Sequence, residues 1–147
     1  MRRRRLKFSD YYHDIIIEEI VDIYNVDKDR IFLGSRQKNI IFAKRMYIYV
    51  LREMFGLTLS QIAQATNLHH SSIIHHYRQF EFEYDKKKFG SQDNFERVEN
   101  RIIEVEIDEE IEGLEKQHKK IKESLTKLYK INKLKHDREK RENLLTK

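Results

Sequence analysis

Residues 57–80 have the sequence LTLSQIAQATNLHHSSIIHHYRQF, and this stretch decides the fold. Thr58 is followed three residues later by Gln61, a spacing typical of the capping box that begins a helix. Asn67 lies where the chain must turn, and Asn tolerates the left-handed backbone region better than most non-glycine residues. Ile73 and Ile74 then anchor a second helix. The stretch therefore predicts a helix-turn-helix.

The second of these helices carries hydrogen-bonding side chains and no acidic residue. The polar residues on it and just before it are His69, His70, Ser71, Ser72, His75 and Arg78. A short helix, a tight turn and a second helix with polar side chains near its start suit insertion into the major groove of DNA. The alternative is a purely structural pair of helices.

Composition favours a helical, intracellular protein. The chain has 147 residues, 37% of them charged, with no Pro and no Cys. The absence of Pro favours long helices, and the absence of Cys excludes a disulfide framework and a thiolate metal site. No apolar run is long enough for a signal peptide or a membrane span. We expect a soluble, cytoplasmic protein associated with the nucleoid.

The positive charge is concentrated in the first part of the chain. Residues 1–88 contain 16 Lys/Arg and 11 Asp/Glu, whereas residues 89–147 contain 14 of each. Between Arg30 and Phe80, Glu53 is the only acidic residue. Six basic residues share that window: Arg36, Lys38, Lys44, Arg45, Arg52 and Arg78. Such a surface attracts phosphates, although an ordinary solvated basic face is the alternative.

Helices are also predicted before the helix-turn-helix. One apolar stripe at helical spacing ends near Asn25, and a short helix is expected over Lys28–Leu33. A longer helix is expected from about Lys38 to Phe55, where Gly56 ends it. Its predicted core residues are Ile41, Met46, Tyr49, Val50 and Met54.

Four segments in this order resemble a known family. They are IVDIYNVDKDRIFLGSR, AKRMYIYVLRE, LTLSQIA and HHSSIIHH. Together they make residues 15–80 similar to the C-terminal DNA-binding domain of the bacterial chromosomal replication initiator DnaA. The resemblance implies an all-helical domain that binds double-stranded DNA.

The resemblance also implies roles for individual residues. Arg36 would enter the minor groove, and Lys44 and Arg45 would hold phosphates. Residues at the start of the next helix would contact the backbone, and residues at the start of the second helix would read bases. These are Leu59 and Ser60, and then His70, Ser71 and Ser72, with His75 as the second signature His.

One departure from the family pattern affects specificity. The family has Gly-Gly-Arg-Asp before its first signature His, whereas this chain has Asn67-Leu68-His69. A carboxylate accepts from cytosine, but a His can donate to guanine or to a phosphate. With His69, Lys38 and Arg78 added, the predicted DNA-binding set is complete.

The sequence indicates no catalytic or cofactor-binding site. The chain has no GxxxxGK[ST] motif, so we expect no nucleotide. The histidines around residue 70 lack the i, i+4 spacing of a helical zinc site, and no nucleophile motif is present. We therefore expect no cofactor, no metal and no enzymatic activity.

Three regions are predicted along the chain. Residues 1–10 form a basic arm, which either lies along DNA or is a solvated tail, and residues 11–88 form the DnaA-like domain. Residues 89–147 form a charged, coiled-coil-like helical extension, with an early seam of Phe95, Val98, Ile102 and Val105. A longer heptad seam follows, made of Ile107, Ile111, Leu114, His118, Ile121, Leu125, Leu128 and Asn132.

Charge is segregated along this extension. Residues 89–115 contain two basic and 10 acidic residues, and residues 116–147 contain 12 basic and four acidic residues. This favours an antiparallel homodimer through residues 92–141, or a hairpin folding near Gly113. A single solvated helix is the remaining alternative.

The expected protein is therefore all-α, with a helix-turn-helix domain followed by a long helical extension. Its expected function is sequence-specific binding of double-stranded DNA in replication initiation or its regulation, without an ATPase module. The alternatives are a helix-turn-helix transcriptional regulator and a coiled-coil interaction protein docked on DNA.

Overall fold

The computed structural model describes residues 6–146, and all regular structure in that range is helical. This confirms the predicted all-α fold. The elements are α1 (Asp10–Tyr24), a 3₁₀ helix (Lys28–Arg30), α2 (Lys38–Phe55), α3 (Leu59–Thr66), α4 (His70–Asp85) and α5 (Ser91–Leu145). None of the helices in this range is both long and apolar enough to cross a membrane.

Local sequence signals set the ends of the first helices. The Ser9 hydroxyl accepts from the backbone N–H of Tyr12 at the start of α1, and Asn25 ends that helix with φ 51°. Gly56 ends α2 with φ 66°, as predicted. The helix predicted over Lys28–Leu33 is shorter, a 3₁₀ turn with no buried residue. Ile31, directly after this turn, is fully buried, whereas Leu33 is exposed, so the segment offers the core a single side chain and not a helical face.

The core forms where α2 packs against α1, α3 and α4. The fully buried side chains include Ile16 and Ile20 from α1, Met46, Ile48 and Leu51 from α2, Ile62 from α3 and Ile73 from α4. Of the core residues predicted on α2, Met46, Val50 and Met54 are buried. Ile41 and Tyr49 are only half-buried.

The beginning of α5 belongs to this core. The Phe95 ring centroid lies 5.1 Å from that of Tyr49 and 5.9 Å from that of Tyr84, and Val98 and Ile102 are fully buried. These side chains were predicted as an early coiled-coil seam, and they instead complete the helical domain. Because Phe95 meets an aromatic cluster on α2 and α4, it buries its area within one chain.

Charged groups also hold α5 to α1. Arg97 pairs with Glu19 at 3.2 Å and with Asp22, and Arg101 lies 3.8 Å from Glu19. The boundary between the two compact units consequently falls between Glu104 and Val105. The sequence-based boundary at residue 89 lies two residues before α5 begins at Ser91, and the first compact unit includes α5 as far as Glu104.

The second compact unit, which begins at Val105, is part of one continuous helix and not a hairpin. The hairpin alternative requires a turn near Gly113, but α5 continues through that residue. A single glycine costs a helix about 1 kcal/mol, which the surrounding helix-forming residues offset. The hairpin is therefore excluded for this structure, and the homodimer stays a prediction.

Part of the predicted basic arm packs on the domain. The backbone N–H of Leu6 donates to the carbonyl of Met54 at 3.4 Å, and the Phe8 ring lies 5.4 Å from that of Phe55. Residues 6–9 therefore contact α2 and lead directly into α1. The arginines at positions 2–5 lie outside the described residues.

Candidate nucleic-acid interface

The two helices of the predicted motif are joined as the sequence indicates. Thr58 and Gln61 form a reciprocal capping box, with N···O distances of 2.9 and 3.1 Å. Asn67 adopts the left-handed conformation at φ 56°, between α3 and α4. The buried hydroxyl of Thr66 donates to the Ile62 carbonyl at 2.8 Å. The capping box therefore begins α3, and Asn67 ends it and starts the turn into α4.

His69 has a structural role that the sequence did not reveal. It is the N-cap of α4, and its Nδ1 accepts from the backbone N–H of Ser71 at 3.3 Å. The Ser71 hydroxyl lies 2.7 Å from the same nitrogen. An accepting Nδ1 carries no proton, so the neutral ring bears its hydrogen on Nε2. His69 thus caps the helix, a role in which Asp is common, and retains a donor on its other ring nitrogen.

One face of α4 is exposed and polar. Ser71, His75 and Arg78 are spaced four and three residues apart, which places them on the same side of a helix. All three are exposed, as is His70 in the first turn, whereas Ser72 is half-buried. Ile73 and Phe80 lie on the opposite, buried face. The fold therefore leaves most of the predicted base-reading residues accessible.

The start of α3 and the loop before α2 supply further predicted contacts. Ser60 is exposed and Leu59 is half-buried in the first turn of α3. Arg36 and Lys38 are both exposed, Arg36 in the loop and Lys38 as the first residue of α2. These four side chains lie on two separate parts of the fold, the start of α3 and the segment from the loop into α2.

Lys44 is buried, although the resemblance implies a phosphate contact for it. It is only 6% exposed, and its Nζ donates to the carbonyl of Leu33 at 3.3 Å. Burial lowers the pKa of the Lys44 ammonium. The contact ties α2 to the loop that carries Arg36. In the free protein Lys44 therefore holds that loop in place.

Arg45 is also engaged within the fold. One guanidinium nitrogen (Nη1) lies 2.5 Å from Oε1 of Glu83, and the two side chains are 15% and 7% exposed. Burial raises the pKa of Glu83, an effect that the adjacent Arg45 opposes. The ion pair joins α2 to α4. Glu83 was not identified from the sequence, because nothing local marks an acid on α4 as a partner for Arg45.

His76 is a second functional-looking residue that sequence reasoning missed. Its Nδ1 is buried without a hydrogen-bond partner. Burial, together with the nearby charges of Lys44, Arg45 and His75, lowers the pKa of His76 from 6.5 to about 4. The ring is therefore neutral at neutral pH. His76 lies three residues after the buried Ile73 on α4, and this spacing was the signal in the sequence that His76 faces inward.

The helix-turn-helix is bordered by carboxylates but contains none between Glu53 and Glu81. Glu53, the single acid between Arg30 and Phe80, accepts a hydrogen bond from the Tyr77 hydroxyl at 2.7 Å. No Asp or Glu occurs from Met54 to Phe80, which covers α3, the turn and most of α4. Among residues 6–146 no group of three or more His, Asp or Glu is arranged to hold a metal ion. The exposed side chains here suit recognition of an anionic polymer.

Comparison with known proteins identifies this part of the fold. Residues 13–79 match the family described as bacterial dnaA protein helix-turn-helix. Over these residues the chain is similar to the helix-turn-helix domain of bacterial DnaA. The resemblance proposed from the sequence is thereby confirmed, and the matched range includes every predicted DNA-binding residue of the DnaA-type domain.

Individual relatives are similar over the same region. The chromosomal replication initiator protein DnaA of Kosmotoga olearia is 28% identical over 68 residues, 46% of this chain and 15% of that protein. Its counterpart in Thermoanaerobacter sp. (strain X514) is 27% identical over 88 residues, 60% of this chain and 20% of that protein. This chain thus spans at most a fifth of the relatives described here.

Proposed function

We propose that this protein binds double-stranded DNA in a sequence-specific manner through its DnaA-type domain, in replication initiation or its regulation. The observation that carries the proposal is the exposed polar face of α4, where Ser71, His75 and Arg78 lie together and the helix carries no Asp or Glu before Glu81. In DNA-binding motifs of this kind the second helix lies in the major groove and its N-terminal residues contact base edges. Binding to DNA would place the protein on the nucleoid.

Base reading is assigned to the start of α4. His70, Ser71 and Ser72 offer donors and acceptors at the helix end that would enter the groove. His69 would present its Nε2–H, because its Nδ1 is occupied by Ser71. A donor there favours guanine O6 or N7 over the amino group of cytosine. The preferred site should therefore differ from that of a domain with Asp at this position.

Backbone contacts are assigned to the surrounding side chains. Arg36 in its loop and Lys38 at the start of α2 are exposed and free to approach phosphates or a minor groove. Leu59 and Ser60 begin α3, whose backbone N–H groups favour a nearby anion. Lys44 and Arg45 stay in the proposed set. Each would have to exchange its internal partner for a phosphate when DNA binds.

The similarity to DnaA is the one observation that favours a role in replication over a role in transcription. The chain contains no GxxxxGK[ST] motif, so an ATP-driven step would be performed by another module or protein. A DNA-binding domain of this kind would mark an origin or compete for initiator sites. A map of bound chromosomal positions would separate the two functions, since clustering at an origin supports replication and clustering at promoters supports a transcriptional regulator.

Selection from a random double-stranded DNA library tests binding and yields the preferred site. Changing both Ser71 and Ser72 to Ala should weaken binding to that site by about 1–3 kcal/mol and should weaken binding to random DNA little. Ser124→Ala, an exposed change on α5, is the matched control. Equal losses on selected and random DNA would show that these hydroxyls do not read bases.

Salt dependence tests the backbone contacts. Lys38→Ala should weaken binding to all sequences and reduce the slope of log affinity against log salt by about one. The same reduction for Lys44→Ala would mean that its ammonium reaches a phosphate. A weaker affinity with an unchanged slope would mean that Lys44 acts only by holding the loop of Arg36.

A second candidate function, a coiled-coil interaction protein docked on DNA, is favoured by the exposed apolar residues of α5. Six of them, from Ile107 to Leu128, are between 45% and 60% exposed. This candidate predicts that the Ser71 and Ser72 changes leave the protein's biological effect intact, while apolar-to-charged changes on α5 abolish it.

A further inference from the structure

The second unit exposes a regular apolar stripe. Its members recur at alternating spacings of four and three residues, the pattern of a left-handed coiled-coil seam. They are Ile107, Ile111, Leu114, Ile121, Leu125 and Leu128, with His118 and Asn132 at the two polar seam positions. All eight residues are exposed. Water contacts a surface that typically packs against another helix.

The usable seam is shorter than the sequence suggested. Phe95, Val98 and Ile102 are buried in the domain core and cannot also contact a partner helix. The seam therefore begins at Ile107 and ends at Asn132, because Lys135 and Glu139 hold the next two heptad positions. At a rise of about 1.5 Å per residue this seam is about 37 Å long.

We propose that residues 107–132 pair with the same segment of a second copy of this chain, antiparallel, with the symmetry axis between Lys119 and Lys120. In this register Ile111 lies opposite the partner's Leu128, and Leu114 lies opposite the partner's Leu125. Near the axis His118 packs beside the partner's Ile121. Each pair of facing core residues then consists of a heptad a position from one helix and a heptad d position from the other. This is the pairing found in antiparallel coiled coils.

Charge decides between the antiparallel and parallel arrangements. Residues 105–115 carry six acidic and no basic residues, whereas residues 116–147 carry 12 basic and four acidic residues. Antiparallel pairing places each acidic end beside the basic region of the partner. Parallel pairing places acidic beside acidic, which disfavours it.

The residues flanking the seam agree with the overall charge distribution. In the antiparallel register Glu115 lies beside the partner's Lys122, and the symmetry repeats this attractive pair. In a parallel register Glu110 would instead lie beside the partner's Glu115, a repulsive pair that is also repeated. One substitution, Glu115→Lys, therefore has opposite effects on the two arrangements.

Sedimentation equilibrium of the full chain tests the orientation. Glu115→Lys and Lys122→Glu should each raise the dimer dissociation constant about tenfold, since each converts two attractive contacts into repulsive ones. The double variant should return to within about threefold of the original value. Glu123→Lys and Lys130→Glu, on the outer face of the helix, are matched controls and should change it little.

The results that overturn the proposal are distinct. Tighter association of Glu115→Lys would establish a parallel dimer, and an unchanged dissociation constant in both single variants would exclude the proposed register. A monomer at all concentrations, with helicity retained by circular dichroism, would mean that α5 is a solvated single helix. Circular dichroism of each variant shows whether a change reflects lost helix instead of lost pairing.

Disulfide trapping gives an independent readout, because the chain contains no cysteine. Leu114→Cys and Leu125→Cys chains of different mass are mixed and oxidised. The antiparallel register predicts disulfides mainly between unlike chains, since residue 114 faces the partner's residue 125. Disulfides mainly between two Leu114→Cys chains would show parallel pairing, and absence of any cross-link would refute the dimer.

Discussion

Lowering the pH should destabilise the DnaA-type domain through His76. The Nδ1 of this ring is buried without a partner, and its pKa falls from 6.5 to about 4 on folding. Between about pH 4 and pH 6.5, the unfolded chain therefore binds a proton at His76 that the folded protein does not bind. Stability rises with pH where the unfolded state binds more protons. The contribution is fully present above pH 6.5 and is lost as the pH falls from 6.5 towards about 4.

The magnitude follows from the change in pKa. A fall from 6.5 to about 4 corresponds to about 3 kcal/mol, at about 1.4 kcal/mol for each tenfold change in affinity for the proton. The ring keeps some contact with solvent, which screens part of this effect. We expect the free energy of unfolding to fall by about 1–2 kcal/mol between about pH 7 and about pH 5 because of His76 alone.

Urea unfolding followed by circular dichroism at the two pH values measures this term. His76→Gln removes the titrating ring and should flatten the pH dependence by that amount. His70→Gln, a change at an exposed position in the first turn of the same helix, is the matched control and should leave the contribution of His76 in place. If His76→Gln and the unmodified protein lost equal stability on acidification, the reasoning about the buried imidazole would be refuted.

Three further changes test other parts of the fold. Glu83→Ala should destabilise the domain by about 3 kcal/mol in urea unfolding, because it leaves the guanidinium of Arg45 buried without its carboxylate; a loss below about 1 kcal/mol would argue against a buried pair. Phe95→Ala should lower the free energy of unfolding of the domain by about 3 kcal/mol, because α5 begins inside the core. Leu125→Ala should leave the free energy of unfolding of that domain unchanged. Asn67→Val should destabilise the turn by about 1–2 kcal/mol, since a β-branched residue is strained at φ 56°, whereas Asn67→Gly should be nearly neutral.

Local sequence determined most of the DnaA-type domain. The capping box at Thr58, the left-handed turn at Asn67 and the stop at Gly56 are formed as predicted. Each depends on residues within one helical turn of one another, so the chain specifies it without knowledge of the fold. The family match over residues 13–79 confirms the resemblance drawn from the same segments.

The fold alone decided which charged groups are free to act. Lys44 and Arg45 appear in the sequence as two more basic residues, but α2 turns one towards Leu33 and the other towards Glu83. Packing likewise removed water from the Nδ1 of His76 and lowered the pKa of that ring to about 4. Desolvation and pairing over long sequence separation depend on the arrangement of whole helices, which no local pattern encodes.

The two parts of α5 illustrate the same division. Heptad spacing alone predicted apolar seams at both Phe95–Val105 and Ile107–Asn132. Tertiary packing buried the first, with Phe95 against Tyr49 and Tyr84, and left the second exposed. An amphipathic pattern determines that a helix has a face to bury, but the neighbouring surfaces determine what covers it. The sequence by itself thus determined the helices and their apolar faces, and the tertiary structure decided which of those faces found a partner within the chain.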